Sequence, residues 1–172
     1  MSGSNIINLI GGRGYTGSEL LYIIASHPGF ELGIASSRST AGQSIHSICT
    51  GWPDDGSTFT QLEPEGVSSY PADAWVLALP NGVAERWVKC IQDAFPDARI
   101  LDLSADYRFD NDWTYGLPER FREQLVKADR IANPGCYATG SQLGLLPLKD
   151  QLASPPLIFG VSGYSGAGKT PS

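Results

Sequence analysis

Apolar residues along this chain gather in short unbroken runs instead of alternating with polar ones. The runs at 6–10, 31–35, 75–79, 100–103, 130–132 and 157–161 are rich in Ile, Leu, Val and Trp. Unbroken runs of this length suit strands buried on both faces. Between them the pattern predicts helices at 18–26, 83–94, 119–128 and 139–152. Strands that alternate with helices imply a parallel sheet with right-handed crossovers, an open doubly wound α/β fold.

Two stretches break the rhythm. Residues 50–71 mix Gly, Pro, Asp and Ser with little periodicity and read as a long surface excursion, with one short strand near 58–61. Ser154-Pro155-Pro156 reads as a connection into the run at 157–161, which ends in the glycine-rich stretch 160–168. A domain seldom ends in an open glycine loop, so the expectation is one complete domain, 1–135, and the truncated start of a second α+β domain, 136–172.

Composition narrows the classes. The 172 residues carry a net charge of −6 and a 41% hydrophobic fraction. Such a chain can bury a core, and it lacks the clustered Lys and Arg of a nucleic-acid groove. No run reaches the roughly 18 apolar residues of a membrane span, and Met1-Ser2-Gly3-Ser4 carries no basic leader. The three cysteines are scattered without a CxxC pair, which argues against a disulfide framework and a zinc site. No metal site is expected, and cytoplasm is the expected compartment.

Gly12-Arg13-Gly14-Tyr15-Thr16-Gly17 satisfies G-x-G-x-x-G between a strand and a helix, the setting that a dinucleotide loop of the Rossmann type needs. Gly12 is expected to make the tight turn, Gly14 to admit the pyrophosphate and Gly17 to let helix and sheet approach. The helix N-terminus would add unpaired N–H groups and a positive dipole end. A site for NAD places an acid at the tip of the second strand; here the tip reads Ser36-Ser37-Arg38. An Arg with hydroxyl donors beside it suits a ribose 2′-phosphate, so NADP is the expected cofactor.

Gly163-Tyr164-Ser165-Gly166-Ala167-Gly168-Lys169-Thr170 fits the phosphate-loop pattern G-x-x-x-x-G-K-[ST] and makes a phosphotransferase the rival class. Pro171 follows at once, and the helix which that motif requires is not seen.

Asn133-Pro134-Gly135-Cys136 stands between a short strand and a helix. A cysteine at a helix N-terminus gains from the dipole and the unpaired N–H groups, which favour thiolate and could also hold an oxyanion. Cys49 and Cys90 read as packing residues. A thiolate beside a nicotinamide can attack an activated acyl group, pass through a thioester and release an aldehyde after hydride transfer. That chemistry calls for a general acid–base group, usually His. His27 precedes Pro28 at a helix end and His46 lies in a loop, and neither is expected to serve.

Several blocks together resemble a known family. They are Gly11 to Leu20, His27-Pro28, Ser36-Ser37-Arg38, Ala78-Leu79-Pro80-Asn81-Gly82, Asp102-Leu103-Ser104-Ala105-Asp106-Tyr107-Arg108, Tyr115 to Glu119, Ala132 to Gly140 and Ser162 to Gly168. In order and spacing they look like N-acetyl-γ-glutamyl-phosphate reductase, with aspartate-semialdehyde dehydrogenase as a cousin. The resemblance implies NADPH-dependent reduction of an acyl phosphate, N-acetylglutamyl 5-phosphate, to its semialdehyde in arginine biosynthesis. It implies Cys136 as nucleophile, and Pro80 and the stretch Ser165, Gly166, Ala167 and Gly168 as part of the cofactor site. It also implies Arg108 and Asn133 at the substrate, and a homo-oligomer when full length. Many members carry His where Asn81 stands. The family is about twice this long, so its base is expected beyond residue 172. A non-catalytic NADP-binding module is the alternative for this chain alone.

Overall fold

The apolar runs become strands wherever a neighbouring run can supply hydrogen bonds. In the computed structural model, residues 4–163 and residue 166 are described. In chain order the elements are β1 (Asn5–Ile10), α1 (Tyr15–Ser26), β2 (Phe30–Ser36), α2 (Ile45–Ile48), β3 (Ala74–Leu77) and α3 (Ala84–Ala94). They continue with β4 (Arg99–Asp102), β5 (Thr114–Tyr115), α4 (Pro118–Leu125), β6 (Arg130–Ala132) and α5 (Cys136–Leu145). The sheet order is β2-β1-β3-β4-β6-β5, and every pairing is parallel. This is the doubly wound Rossmann-like sheet expected from the sequence.

The chain runs outward from β1 to β2, then returns across β1 to β3 and proceeds the other way. Right-handed crossovers in opposite directions put their helices on opposite faces. Along β3 the alternation is visible residue by residue. Trp75 and Leu77 join Trp87, Val88 and Ile91 of α3, with Ile100 and Trp113, on one face. Val76 joins Leu9, Leu21 and Ile24, with Ile45, Trp52 and Phe59, on the other. Each such side chain contributes about 1.5–3 kcal/mol on burial. The buried Asn8 stitches the middle: its Nδ2 donates to Tyr70 O (2.8 Å) and its Oδ1 accepts from Ile34 N (3.0 Å).

Four expectations change. The excursion at 50–71 lies mostly at the surface, as expected, but is anchored in the core by Trp52, Phe59, Leu62 and Val67, which are all buried. Isolated large apolar residues fill core positions without any period for the sequence to display. Instead of a strand at 58–61 it makes two isolated bridges, Ser36 with Thr60 and Ser44 with Thr58, and ends in a 3₁₀ turn, Pro64–Ser69. The run at 157–161 forms no strand: Leu157 is 97% and Phe159 87% exposed, and no described strand pairs with it. The last predicted helix, 139–152, begins at Cys136 and passes into a 3₁₀ turn at Leu146–Gln151. The two-residue β5, too short to carry a pattern, completes the sheet.

The helix of the glycine loop also starts a turn early, at Tyr15. Its left-handed residue is Gly11 (φ 86°), not Gly12, which is buried with Phe59 at 3.0 Å from where its Cβ would stand. Gly17 is packed tightest in the helix, since a Cβ there would lie 2.6 Å from the carbonyl oxygens of Gly11 and Gly12. A Cβ on Gly14 would meet only Gly11 O at 3.9 Å. Gly17→Ala should therefore lose about 1–3 kcal/mol of stability by overpacking. Gly14→Ala should stay within about 0.5 kcal/mol of the parent. Urea unfolding of both variants checks this, and equal losses would refute the steric account.

Candidate functional site

In a parallel sheet all the strands end on one edge, and the loops beyond those ends are brought together. A crevice forms there where the strand order reverses, which in this sheet is between β1 and β3. The loop after β1 lies against the loop after β3 so closely that a Cβ on Gly11 would overlap Ala78 O. Gly11 N and Gly12 N both donate to Ser36 O, at 3.1 and 2.9 Å, which ties the glycine loop to the tip of β2. Arg13, Gly14, Tyr15 and Thr16 form the exposed rim, while Gly12 and Gly17 are buried beneath it. Gly14 caps α1 without a side-chain acceptor, and no acid occupies the first turn. An anion can therefore approach this helix end over open backbone.

The β2 tip carries the other predicted cofactor residues. Ser36 and Ser37 are buried, and Ser37 Oγ accepts from Thr40 Oγ1 at 2.7 Å. Arg38 is exposed, and its guanidinium pairs with Glu63 at 2.5 Å. Arg13 reaches Ser39 Oγ at 2.8 Å. Pro80 lies exposed in the loop after β3, next to the crevice.

From that crevice to Cys136 the loops are braced one to the next. Asn81 Oδ1 accepts from Ala105 N at 2.9 Å, which gives the residue a structural task. The Asp106 carboxylate accepts from Gly82 N at 2.7 and 2.9 Å and from Ala84 N at 3.2 Å, at the start of α3. Arg108 then reaches forward. Its Nε donates to Asn133 O at 2.9 Å and its Nη2 to Leu103 O at 3.2 Å. Its Nη1 lies 3.0 Å from where a Gly135 Cβ would stand, so a side chain at Gly135 would press on the guanidinium. The substrate role expected for Arg108 is thus overlaid by a bracing one, with two of its three nitrogens committed to main chain. Asn133 donates from its side chain to Pro134 O at 3.0 Å, and its N–H continues the ladder to Asp102 O at 2.8 Å.

Beneath the brace is Asp102, fully buried at the end of β4. Burial pushes its carboxyl above the ordinary aspartate value, and hydrogen bonds from Ser104 Oγ (2.6 Å) and Ser104 N (3.2 Å) pull it back in part.

Cys136 is the first residue of α5 and is exposed, whereas Cys49 is buried and Cys90 half-buried. Gly135 caps the helix with no side-chain acceptor, and its first turn holds no acid. The helix start is thus built like that of α1. Each histidine has its Nδ1 engaged within its own neighbourhood, and no contact links either to Cys136. His27 ends α1 at the opposite edge, where Nδ1 accepts from Gly29 N at 3.1 Å and the ring stacks on Phe30 at 3.9 Å. His46 belongs to α2, half-buried rather than in a surface loop, and its Nδ1 donates to Trp52 O at 2.6 Å. Gly166 N donates to Gly163 O at 3.0 Å. Ser165, Ala167 and Gly168, and most of the phosphate-loop-like string, lie outside the described residues.

Residues 6–128 match the family model described as semialdehyde dehydrogenase, NAD binding domain. The chain belongs to the semialdehyde dehydrogenase family. Residues 136–172 match the model described as semialdehyde dehydrogenase, dimerisation domain. N-acetyl-gamma-glutamyl-phosphate reductase of Xanthomonas campestris pv. campestris (strain B100) is 49% identical over 166 residues, which cover 96% of this chain and 52% of that protein. The protein of the same name from Stenotrophomonas maltophilia (strain R551-3) is 48% identical over the same shares. The chain spans about half the length of the curated relatives it matches. Aspartate semialdehyde dehydrogenase II of Vibrio cholerae, complexed with ASA, superposes with a TM-score of 0.65 at 19% identity, over 86% of this chain and 47% of that one. The Candida albicans enzyme with NADP gives a TM-score of 0.63 at 18% identity over the same shares. At these identities the likeness establishes the fold.

The sequence motifs of this chain marked the glycine loop and Cys136, but not the parts that hold them. Asp106 and Asn81 stand inside quoted blocks, yet nothing in the spelling says which backbone they reach. Glu63 carried no signal at all. Replacing Arg108 by Met should remove two charge-assisted bonds to main chain and cost about 1.5–3 kcal/mol. Lys keeps the charge but cannot fork to both carbonyls, and should recover only part of the loss. Urea midpoints for the two variants measure this; an unchanged midpoint for Met would remove Arg108 from the brace.

Proposed function

We propose that this chain is the cofactor-binding and nucleophile-bearing part of an NADP-dependent reductase that converts N-acetylglutamyl 5-phosphate to its 5-semialdehyde, with Cys136 as nucleophile. One observation carries the reading: an exposed cysteine begins a glycine-capped helix at the sheet edge that also holds the glycine loop. The name shared by relatives at 48–49% identity supports the substrate.

The residues fit a dinucleotide. The space over Gly14 is open where Gly12 and Gly17 are filled, and α1 offers its N-terminus there without a competing acid. Gly12, Arg13, Gly14, Tyr15, Thr16 and Gly17 would cradle the pyrophosphate. Ser36, Ser37 and Arg38 would meet the ribose 2′-phosphate. Pro80 and the Ser165–Gly168 stretch would border the cofactor. Two strands, β3 and β4, separate β1 from β6. At a strand spacing of about 4.8 Å, an extended ligand bridges roughly 14 Å from loop to cysteine. A nicotinamide cofactor bound in this way supplies hydride.

Cys136 attacks the acyl carbon as thiolate; the C–O bond to phosphate breaks and a thioester forms. With hydride supplied to the thioester carbon, Cys136 would leave as thiolate and the aldehyde would be released. The first N–H groups of α5 are suited to hold the oxyanion in both steps. Arg108 keeps Asn133–Gly135, and hence Cys136, in place, and its Nη1 remains for an anionic substrate group beside Asn133. Proton transfer needs a group that neither His27 nor His46 provides. The dimerisation-domain match supports a homo-oligomer, and three free thiols support a reducing, cytoplasmic setting.

Two experiments test the reading. Cys136 should be alkylated faster than Cys90 and far faster than Cys49, by peptide-resolved mass spectrometry. Cys136→Ser in the protein that carries this chain should abolish reduction while leaving NADPH binding intact. A serine variant with full activity would end the covalent route. Second, NADPH should bind more tightly than NADH, and Arg38→Ala should remove about 1.5–3 kcal/mol of that preference. Equal affinities in the parent chain would overturn the choice of NADP.

A further inference from the structure

We propose that Glu63 is a specificity-determining residue of the cofactor site: its carboxylate competes with the 2′-phosphate for Arg38 and so holds down the preference for NADP(H) over NAD(H). This rests on reading Arg38 as the 2′-phosphate ligand.

The tip of β2 has no acid of its own in sequence, but the fold delivers one from 25 residues further on. Thr60 N donates to Ala35 O at 2.9 Å and Ser37 N to Thr60 O at 3.0 Å, so this segment lies along the last residues of β2. Glu63 then caps the 3₁₀ turn Pro64–Ser69, whose Pro64 and Val67 are buried. Tyr70 O, just past the turn, is held by Asn8, and Glu65 within it pairs with Arg86 of α3. The main chain under Glu63 is fixed at both ends and cannot withdraw from the β2 tip.

The pair itself is open to a ligand. The side chains of Arg38 and Glu63 are 73% and 47% exposed, and both are long enough to turn aside. A phosphate monoester carries about −1.5 to −2 charge. To reach Arg38 it must separate the pair and remain beside a carboxylate of the same sign. A ribose 2′-hydroxyl carries no charge and meets no such penalty. The opposition therefore falls on NADP(H) alone, and it acts through the guanidinium.

The test is fluorescence titration of the full chain with NADPH and with NADH, in the parent, Glu63→Gln, Arg38→Ala and the double variant. Glu63→Gln should tighten NADPH about two- to fivefold, the worth of an exposed ion pair, and leave NADH unchanged. The gain should vanish in the Arg38→Ala background. An unchanged NADPH affinity in Glu63→Gln would overturn the proposal, as would a gain that persists without Arg38. So would a loss of NADH affinity alone, which would assign Glu63 to the ribose hydroxyl. If Arg38→Ala itself leaves NADPH binding untouched, the reading of Arg38 fails; if it weakens binding while Glu63→Gln does nothing, only the present inference fails.

Discussion

The segment from Asp102 to Arg108 decides the shape of the whole loop edge, because its charges are directed at backbone and not at one another. The Asp102 carboxylate fixes Ser104, and Ser104 Oγ in turn accepts from Asp106 N at 3.1 Å. From that base an anion, Asp106, takes N–H groups at the start of α3, and a cation, Arg108, gives to carbonyls just past the ends of β6 and β4. Each charge meets main-chain dipoles of the opposite sense, and charge-assisted bonds are about twice as strong as neutral ones. Asp102 is costly in isolation, since burial disfavours its ionised form. Ser104 offsets that cost, and the result is a braced span between the β1/β3 crevice and Cys136.

Such a span is useful because the sheet is parallel. Parallel pairing puts the ends of β1, β3, β4 and β6 on one edge, and the change of direction at β1 opens a crevice there. Left unbraced, those loops would each choose among several conformations, and every residue fixed carries an entropic cost of about 1–2 kcal/mol. Here the cost is met within the protein. Gly11 abuts Ala78, Asn81 holds Ala105, Asp106 holds Gly82, and Arg108 holds Asn133. A ligand arriving at this edge finds the backbone already ordered.

Local and short-range features were the legible part. Unbroken apolar runs gave five of the six strands, because burial on both faces leaves a direct mark in the spelling. Gly12, Gly14 and Gly17 declared the loop, although the residue with a positive φ is their neighbour Gly11, as only coordinates could tell. The excursion misled in part, for a physical reason. Trp52, Phe59, Leu62 and Val67 enter the core one at a time from irregular backbone, so no period announces them. The run at 157–161 misled in the opposite sense, since its composition suits a strand but strand formation also needs a partner. Pairings such as Arg38 with Glu63 were illegible in principle, as they join residues whose separation encodes nothing.

The charge of the chain presents a last puzzle that geometry resolves. A net charge of −6 is a poor long-range lure for a dinucleotide or an acyl phosphate, both anionic. For the proposed ligands, binding would have to be won at short range, where oriented dipoles count for more than net charge. The N-termini of α1 and α5 are each capped by glycine, with no acid in the first turn of either. The acids near the edge are instead committed: Asp102 to Ser104, Asp106 to the start of α3, Glu63 to Arg38. Their negative charge is taken up locally, which leaves helix-end amides facing the space that a ligand would enter. Excess negative charge elsewhere on the surface is then tolerated, because screening confines it to about 8–10 Å at physiological salt.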